Sequence, residues 1–148
     1  MIELRAVAYC EALFAPLLAE AAGEGHAFLA RLRDEWQSGV LRFERPGEIL
    51  LGAFGDGRLI GIGGISHDPY APAPGLARLR HLYVLRTSRG LGIGSILVAR
   101  LLEHASADFH VVRLSTDSAE AARLYERLGF ERCQAPRQSH RIVIGPDR

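Results

Sequence analysis

The sequence contains no lysine and no asparagine, and all eighteen of its basic residues are arginines. The absence of lysine excludes a lysine nucleophile and a lysine that holds phosphate groups, so a Walker A phosphate loop is ruled out. Two cysteines, Cys10 and Cys133, are too few for a disulfide framework. The formal net charge of +1 provides no overall field that would attract nucleic acid or an anionic membrane surface. Any anion-binding site must therefore be local.

Long apolar runs are also absent, because glycine, arginine or glutamate interrupts each of them well before the roughly 18 residues that a membrane span needs. The first residues lack the basic start and apolar run of a signal peptide. Together with the low cysteine content, this predicts a cytoplasmic protein with no membrane partner. A single domain over residues 1–148 is expected, since domains cluster near roughly 100–150 residues. The sequence is compatible with a monomer or a homodimer.

The order of apolar patterns and chain breakers predicts a mixed α/β fold. Gly55-Asp56-Gly57 separates two strand-like runs and is a strong hairpin signal. The segment 68–75 carries three prolines and is predicted to be an exposed loop. The predicted strands cover residues 2–8, 48–54, 58–66, 76–85, 109–114, 130–135 and 138–144, and the predicted helices cover residues 10–22, 24–38, 93–105 and 118–128.

A glycine-rich turn, Arg89-Gly90-Leu91-Gly92-Ile93-Gly94-Ser95, follows the fourth predicted strand and opens the third predicted helix. Glycines let a ligand approach the backbone, and the first amides of a helix have no intrahelical partner, so the turn predicts an anion site. Arg86 and Arg89 add positive charge beside it. A tight turn with close helix packing is the alternative. The dinucleotide fingerprint fits poorly, because its third glycine should fall at position 95.

Two segments carry a resemblance to a known family. Arg89-x-x-Gly92-x-Gly94, preceded by Leu82-Tyr83-Val84, resembles the acyl-CoA-binding motif of the GNAT superfamily of N-acetyltransferases. The segment 121–130, which contains Leu124-Tyr125 and ends in Leu-Gly-Phe, resembles that family's second signature. The clear resemblance covers residues 76–132.

The resemblance implies a central mixed sheet of about seven strands flanked by about four helices, with a V-shaped splay between the fourth and fifth strands. Acetyl-CoA would lie in the splay as co-substrate, without a metal. Its diphosphate would contact amides of residues 90–95, and its pantetheine arm would pair with the backbone of Leu82 and Val84. The cofactor-binding residues implied in this way are Leu82, Tyr83, Val84, Arg89, Gly90, Leu91, Gly92, Ile93, Gly94, Ser95 and Ser118.

Acetyl transfer to an amine requires a deprotonated amine, a stabilised oxyanion and a proton for the departing thiolate. The resemblance places Tyr125 near the CoA sulfur as the general acid, whereas a core tyrosine is the alternative. The backbone amide of Val84 is the expected oxyanion donor. The general base is left open among His81, His140, Asp117 and an ordered water. His81 is favoured because the usual pKa of histidine suits a base at neutral pH.

Two positions where many members of the family carry a base carboxylate hold Arg78 and Arg113 instead. Strict strand alternation predicts that Arg78 and Arg80 share a face with Leu82, opposite His81. The arginines at 78, 80, 86 and 113 are compatible with an acceptor that carries a carboxylate or phosphate, or with a solvated basic face.

The sequence therefore predicts an N-acetyltransferase that moves an acetyl group from acetyl-CoA to a primary amine of a small molecule or peptide. Two alternatives remain. The absent carboxylates favour a catalytically silent acyl-CoA-binding module, and the glycine-rich turn alone is compatible with a small nucleotide-binding domain for NAD or ATP. Trp36, near the end of the second predicted helix, would either line the acceptor pocket or belong to the core.

Overall fold

The computed structural model describes residues 1–71 and 73–145 and contains one seven-stranded mixed sheet. The strands are β1 (Ile2–Ala6), β2 (Ile49–Gly55), β3 (Arg58–His67), β4 (Leu76–Val84), β5 (Val111–Leu114), β6 (Glu131–Ala135) and β7 (Gln138–Val143). The helices are α1 (Glu11–Gly23), α2 (Phe28–Ser38), α3 (Ile93–Ala105) and α4 (Ala119–Arg127), with a 3₁₀ turn at Arg86–Ser88. Within the described residues, no helix has the length and apolar character needed to cross a membrane.

The sheet order is β1-β2-β3-β4-β5-β7-β6, and each pair of neighbours is antiparallel except β4 with β5. The predicted mixed α/β fold, its element order and its four helices are confirmed. Helix α2 begins at Phe28 rather than at residue 24, because Gly25 leaves α1 in the left-handed region at φ +85°. Strand β5 begins later than predicted, since the amide of Phe109 donates to Ala105 at the end of α3 and is lost to the sheet.

Helix α3 lies close against one face of the sheet because β3 is rich in glycine. A Cβ atom at Gly63 would come within 2.9 Å of the Leu101 side chain, so glycine allows this approach without displacing Leu101. Leu97 and Leu101 of α3 are fully buried there. Each contributes about 1.5–3 kcal/mol through burial. Helices α1 and α2 cover the opposite face, where Gly64 contacts Phe43.

The parallel pair of β4 and β5 opens into a splay, as the resemblance implies. The two strands are paired only at Leu76 with Val111, Ala77 with Val112 and Arg78 with Arg113. Beyond Arg78, β4 continues to Val84 along β3, whereas β5 ends at Leu114 and the chain turns toward α4. The last six residues of β4 therefore have a strand neighbour on one side only.

Strand β4 carries a bulge at His81, whose φ is +62°. The register against β3 shifts there, since Gly64 pairs with Arg80 but Ile62 pairs with Tyr83. A bulge inserts one residue into a strand and so breaks the alternation of faces. The predicted strict alternation is therefore wrong from this point onward.

The bulge redistributes the side chains of β4 between the two faces. Arg80 reaches Glu35 of α2, and the His81 ring packs edge-on against Phe43 at 6.3 Å, so both face α2. Leu82 lies on the opposite face, where it and Leu101 both approach Gly63. Arg80 thus shares a face with His81 and not with Leu82, contrary to the alternation expected from the sequence.

Candidate active site

A cleft of about 940 Å³ lies where β4 and β5 separate. Its walls come from β4, the start of α3, α4, and residues near α1 and α2. The candidate cofactor-binding and catalytic residues line this cleft with two exceptions, Leu91, which is 70% exposed, and the candidate base His140. The structure therefore brings together two motifs that are separated by a helix and a strand in the sequence.

The glycine-rich turn presents open backbone at one end of the cleft. Gly90 and Gly92 have φ angles of +81° and +80°, and a Cβ atom on either would meet nothing within 4 Å. The first intrahelical bond of α3 runs from the amide of Ile96 to the carbonyl of Gly92, which leaves the amides of 93–95 without an intrahelical acceptor. These amides and the space above them fit a diphosphate.

Gly94 has a different role from the other two glycines. A Cβ atom there would lie 3.4 Å from Leu124, which is a close contact between the start of α3 and α4. The packing of Leu124 against this turn also brings the neighbouring Tyr125 to the cleft. The motif thus combines the two interpretations that the sequence leaves open, ligand approach at Gly90 and Gly92 and helix packing at Gly94.

The free edge of β4 presents backbone groups to the cleft. The amide of Leu85 donates to Ile60 of β3 at 2.9 Å, so alternation directs the backbone groups of Val84 and Leu82 away from β3. That edge can accept an extended ligand in the manner of an added strand. The Val84 carbonyl already accepts a hydrogen bond from Arg89 Nε at 2.9 Å.

Arg89 is fixed by protein groups rather than left free for a ligand. Its guanidinium donates to Glu24 Oε1 at 2.8 Å and to Oε2 at 3.2 Å, and it lies 5.3 Å from the centre of the Tyr83 ring. The sequence predicts its positive charge beside the anion site. The structure instead pairs that charge with a carboxylate, so Arg89 holds the turn against the end of α1.

Glu20 of α1 and Glu24, the residue that caps the end of α1, are residues that sequence reasoning missed. The Tyr83 hydroxyl lies 2.8 Å from a carboxylate oxygen of each, and the amide of Arg86 donates to Glu20 at 2.7 Å. Hydrogen bonds from Arg89 first, and then from Tyr83, hold the pKa of Glu24 at about 2. The spacing of the two carboxylates is visible in the sequence, but their partners some sixty residues away are not.

Tyr125 lies on α4, where Ser118 caps the helix by accepting a hydrogen bond from the amide of Ala121 at 3.1 Å. The Tyr125 ring packs against Phe130 with centroids 5.5 Å apart and is only 5% exposed. Its hydroxyl makes no hydrogen bond to any residue that the structure describes. The Tyr125 hydroxyl is protonated at neutral pH and can donate a hydrogen bond, but burial raises its pKa and so makes it a weaker acid than an ordinary phenol.

His81 is buried and lines the cleft, and neither ring nitrogen has a hydrogen-bond partner among the described residues. Burial first, and then the charges of Arg80 and Arg31, lower the pKa of His81 to about 3, although the nearby backbone of Phe28 opposes the shift. The imidazole is therefore neutral at physiological pH. The expectation of a histidine with an ordinary pKa is wrong at this position, and a group with so low a pKa is a weak general base.

The other candidate bases lie in different surroundings. The buried His140 ring lies between two hydrogen-bond partners, with Nε2 2.8 Å from Glu126 and Nδ1 2.8 Å from the Ser139 hydroxyl. It borders a second cavity of about 320 Å³ rather than the main cleft. Asp117 lines both cavities.

Arg78 and Arg113 meet at Asp68, a third residue that sequence reasoning missed. Arg113 Nε lies 2.8 Å and Arg78 Nη1 3.5 Å from Asp68 Oδ2, and the Asp68 side chain is fully buried. The prediction of an exposed loop over 68–75 is therefore wrong at its first residue, because the carboxylate turns inward to two cations.

Trp36 does not line the cleft and packs beside the core. Of the two interpretations of this residue, the core tryptophan is therefore the one that the structure supports.

A mixed sheet that splays at its parallel pair, with a glycine-rich helix start and a buried tyrosine at the splay, defines an acyltransferase fold. The sequence matches the profile of the acetyltransferase (GNAT) family over residues 10–130, and the chain belongs to that family. A search of curated protein sequences gave no significant match.

Solved structures with the same fold include a protein of Exiguobacterium sp. 255-15 that is provisionally assigned as an acetyltransferase. It is 23% identical, with a TM-score of 0.85 over 97% of this chain and 93% of its own. A GNAT-family acetyltransferase from Streptococcus pneumoniae is 17% identical, with a TM-score of 0.71 over 98% and 100% of the two chains. The ribosomal-protein-alanine N-acetyltransferase of Brucella melitensis is 23% identical, with a TM-score of 0.71 over 95% and 99%. At these identities, the likeness concerns the fold.

Proposed function

We propose that the protein is a cytoplasmic N-acetyltransferase that transfers the acetyl group of acetyl-CoA to a primary amine of a small molecule or peptide. One observation carries the proposal. The free edge of β4, the open amides of the glycine-rich turn and the Tyr125 hydroxyl line a single continuous cleft. Membership of the acetyltransferase family supports the same reaction class.

The cleft suits acetyl-CoA along its whole length. The pantetheine arm, which contains two amides, pairs with the backbone of Leu82 and Val84 as an added strand would. The diphosphate lies over Gly90 and Gly92, where a side chain would otherwise stand. Helix amides and the α3 dipole balance its charge, because Arg89 is already committed to Glu24.

In the transfer step, the lone pair of the amine forms a bond to the carbonyl carbon of the thioester. The Val84 amide donates to the oxygen that becomes negative. The carbon–sulfur bond then breaks, the sulfur keeps the electron pair, and the Tyr125 hydroxyl supplies a proton or a strong hydrogen bond to the thiolate. The amine loses one proton overall, so the products are an amide and the CoA thiol.

His81 acts in this scheme as a neutral hydrogen-bonding group. A neutral imidazole offers one acceptor nitrogen and one donor nitrogen, and in His81 both are buried beside the cleft without a hydrogen-bond partner among the described residues. A small rotation of the ring would bring a nitrogen to the cleft surface. The acceptor nitrogen receives an N–H of the amine and directs its lone pair at the thioester. The proton that the amine releases leaves through an ordered water, because His81 is too weakly basic to keep it.

Thermal unfolding with and without ligand tests the proposal. Acetyl-CoA at a hundredfold excess over its dissociation constant should stabilise the fold by about 2.7 kcal/mol, which raises the melting temperature by several degrees. NAD and ATP at equal concentration are the controls. Stabilisation by either of these without stabilisation by CoA would favour the nucleotide-binding alternative.

Thiol release separates an enzyme from a silent acyl-CoA-binding module. Arginines occupy both positions where a carboxylate base is frequent in the family, and this favours the silent module. We expect amine-dependent appearance of the free CoA thiol above the rate of acetyl-CoA hydrolysis. Tight acetyl-CoA binding with no such appearance over a broad panel of amines would establish the silent module instead.

A further inference from the structure

Positive charge gathers at the end of the cleft where β4 and β5 begin to separate. Arg31 of α2, Arg78 and Arg80 of β4, and Arg137 of the β6–β7 turn all line this end. Arg113 stands behind them, paired in register with Arg78. These five residues are called the arginine cluster below.

The cluster is physically continuous. Arg78 and Arg137 each lie over the Tyr70 ring, with guanidinium carbons 4.8 and 4.6 Å from its centre, and Arg78 also donates to the backbone carbonyl of Arg137. The charges of Arg80 and Arg31 both act on His81, so the cluster extends to the bulge of β4.

Carboxylates offset only part of this charge. Asp68 serves both Arg78 and Arg113, and Glu35 lies 3.3 Å from Arg80. Within residues 1–71 and 73–145, no carboxylate forms an ion pair with Arg31 or Arg137. Among the residues that the structure describes, the five guanidinium groups of the arginine cluster are therefore paired with two carboxylates.

A solvated basic face describes only the outer part of this arrangement, where Arg31 and Arg137 are exposed. The side chains of Arg78 and Arg80, which lie next to them, are only 8% and 11% exposed, so water screens their charges poorly. Burial also lowers the pKa of Arg78, which means that the site disfavours its own positive charge. Buried charges are normally paired, and an incompletely paired group in a cleft is completed by an anion from outside. Arg86 belongs elsewhere, since it is exposed and bound to Glu24.

The unpartnered ring of His81 lies beside the same residues. Its two nitrogens are buried without hydrogen-bond partners among the described residues, and the ring borders the cleft. A small rotation of the ring that brings one nitrogen to the cleft surface would therefore give an amine a neutral contact next to a cationic contact for an anion. A ligand that carries both groups a few bonds apart matches this pair of environments.

We infer that the acceptor is a small amine that also bears a carboxylate or a phosphate, with the anionic group bound by Arg31, Arg80 and Arg137 and the amine placed at His81. This inference rests on the proposed function. The anionic group takes no part in the bonds that change: the amine nitrogen gains the acetyl carbon and loses a proton, and the CoA sulfur gains a proton. A polyamine or a lysine-rich peptide is excluded as the preferred acceptor, because the cluster repels it.

Binding to the protein saturated with CoA provides the test, since this complex cannot turn over. The probes are ethanolamine, serine, O-phosphoethanolamine and spermidine, titrated calorimetrically at one pH and ionic strength. At least one anionic amine should bind ten times more tightly than ethanolamine, because charge-assisted hydrogen bonds to arginine are the stronger ones. The affinity of serine compared with that of O-phosphoethanolamine shows whether the site prefers a carboxylate or a phosphate.

Variants of exposed arginines locate the site. Arg31→Gln and Arg137→Gln should each weaken the preferred anionic amine about tenfold and leave acetyl-CoA binding unchanged. Arg100→Gln, an exposed residue of α3 outside the cleft, is the matched control and should change neither. The inference would be overturned if ethanolamine or spermidine bound as tightly as both anionic amines. It would also be overturned if Arg31→Gln and Arg137→Gln both bound the anionic amines with wild-type affinity. Failure of acetyl-CoA itself to bind would overturn the proposed function as well, so the two failures are distinguishable.

Discussion

The buried imidazole of His81 predicts a specific loss of stability in mild acid. Its pKa is about 3 in the folded protein against 6.5 for an ordinary histidine. When the pH falls below 6.5, the unfolded chain therefore binds a proton that the folded protein does not. The stability contributed by neutral His81 is complete above pH 6.5 and is lost progressively as the pH falls toward 3.

The size of the effect follows from these two pKa values. At pH 7.5 the difference in proton binding costs only about 0.1 kcal/mol, and at pH 5 it costs about 2 kcal/mol. Any folded-state pKa below about 4 gives nearly the same result at pH 5, because the unfolded value sets the onset. The pKa values of three glutamates, Glu20, Glu24 and Glu126, are lowered from 4.5. The stability that these ionised carboxylates contribute is therefore lost mainly below pH 5.

Urea unfolding at pH 7.5, 6.5, 5.8 and 5.0, buffers chosen on either side of the histidine pKa of about 6.5, measures the effect. The wild type is compared with His81→Asn, since asparagine cannot titrate in this range and tolerates the positive φ of the bulge. The variant should lose about 2 kcal/mol less than the wild type between pH 7.5 and 5.0. His104→Asn, at an exposed position on α3, should behave as the wild type. Equal losses in the wild type and His81→Asn would show that the folded protein protonates His81 freely, and would remove the neutral imidazole from the scheme.

Two further predictions concern the donor site. Tyr125→Phe should lower the single-turnover rate of acetyl transfer by about 10²–10⁴ while acetyl-CoA affinity stays near the wild-type value, because only the proton donor is lost. The control is Tyr9→Phe, a substitution remote from the cleft. If the rate of Tyr125→Phe stayed within about twofold of the wild-type rate, Tyr125 would be assigned to the core. Gly92→Ala should weaken CoA binding at least tenfold, since its methyl group enters the open space above the turn. Gly57→Ala has the same backbone strain of about 1–2 kcal/mol at φ +78° but lies in the β2–β3 hairpin, so equal CoA affinity in the two variants would contradict this explanation.

Local chemistry explains what the sequence could predict. Gly92 sits at the start of α3 in the left-handed region, and Ser118 caps α4, because each feature depends on a few neighbouring residues. Tyr125 comes to the cleft through a packing contact next to its own motif. The element order follows in the same way from periodicity and chain breakers.

The parts that could not be predicted depend on distant partners. Arg89 was expected beside a phosphate, but Glu24, sixty-five residues earlier, takes its charge. The position of Asp68 in a proline-rich segment indicates exposure until two arginines on different strands are seen to converge on it. The alternation of β4 breaks at His81, where Arg80-His81 is followed by Leu82-Tyr83-Val84, but such a break does not by itself place a bulge.

The carboxylate of Asp68 also has a mechanical consequence. The sheet consists of two halves, one with β1 to β4 and the other with β5, β7 and β6. The halves join at only three residue pairs. Asp68 sits at that junction, fully buried, and binds Arg78 on one half and Arg113 on the other. This carboxylate therefore ties the two halves together through side chains at the closed end of the splay, in addition to their three backbone pairs. The two strands that border the cleft are thus joined by an ion-pair network as well as by the sheet.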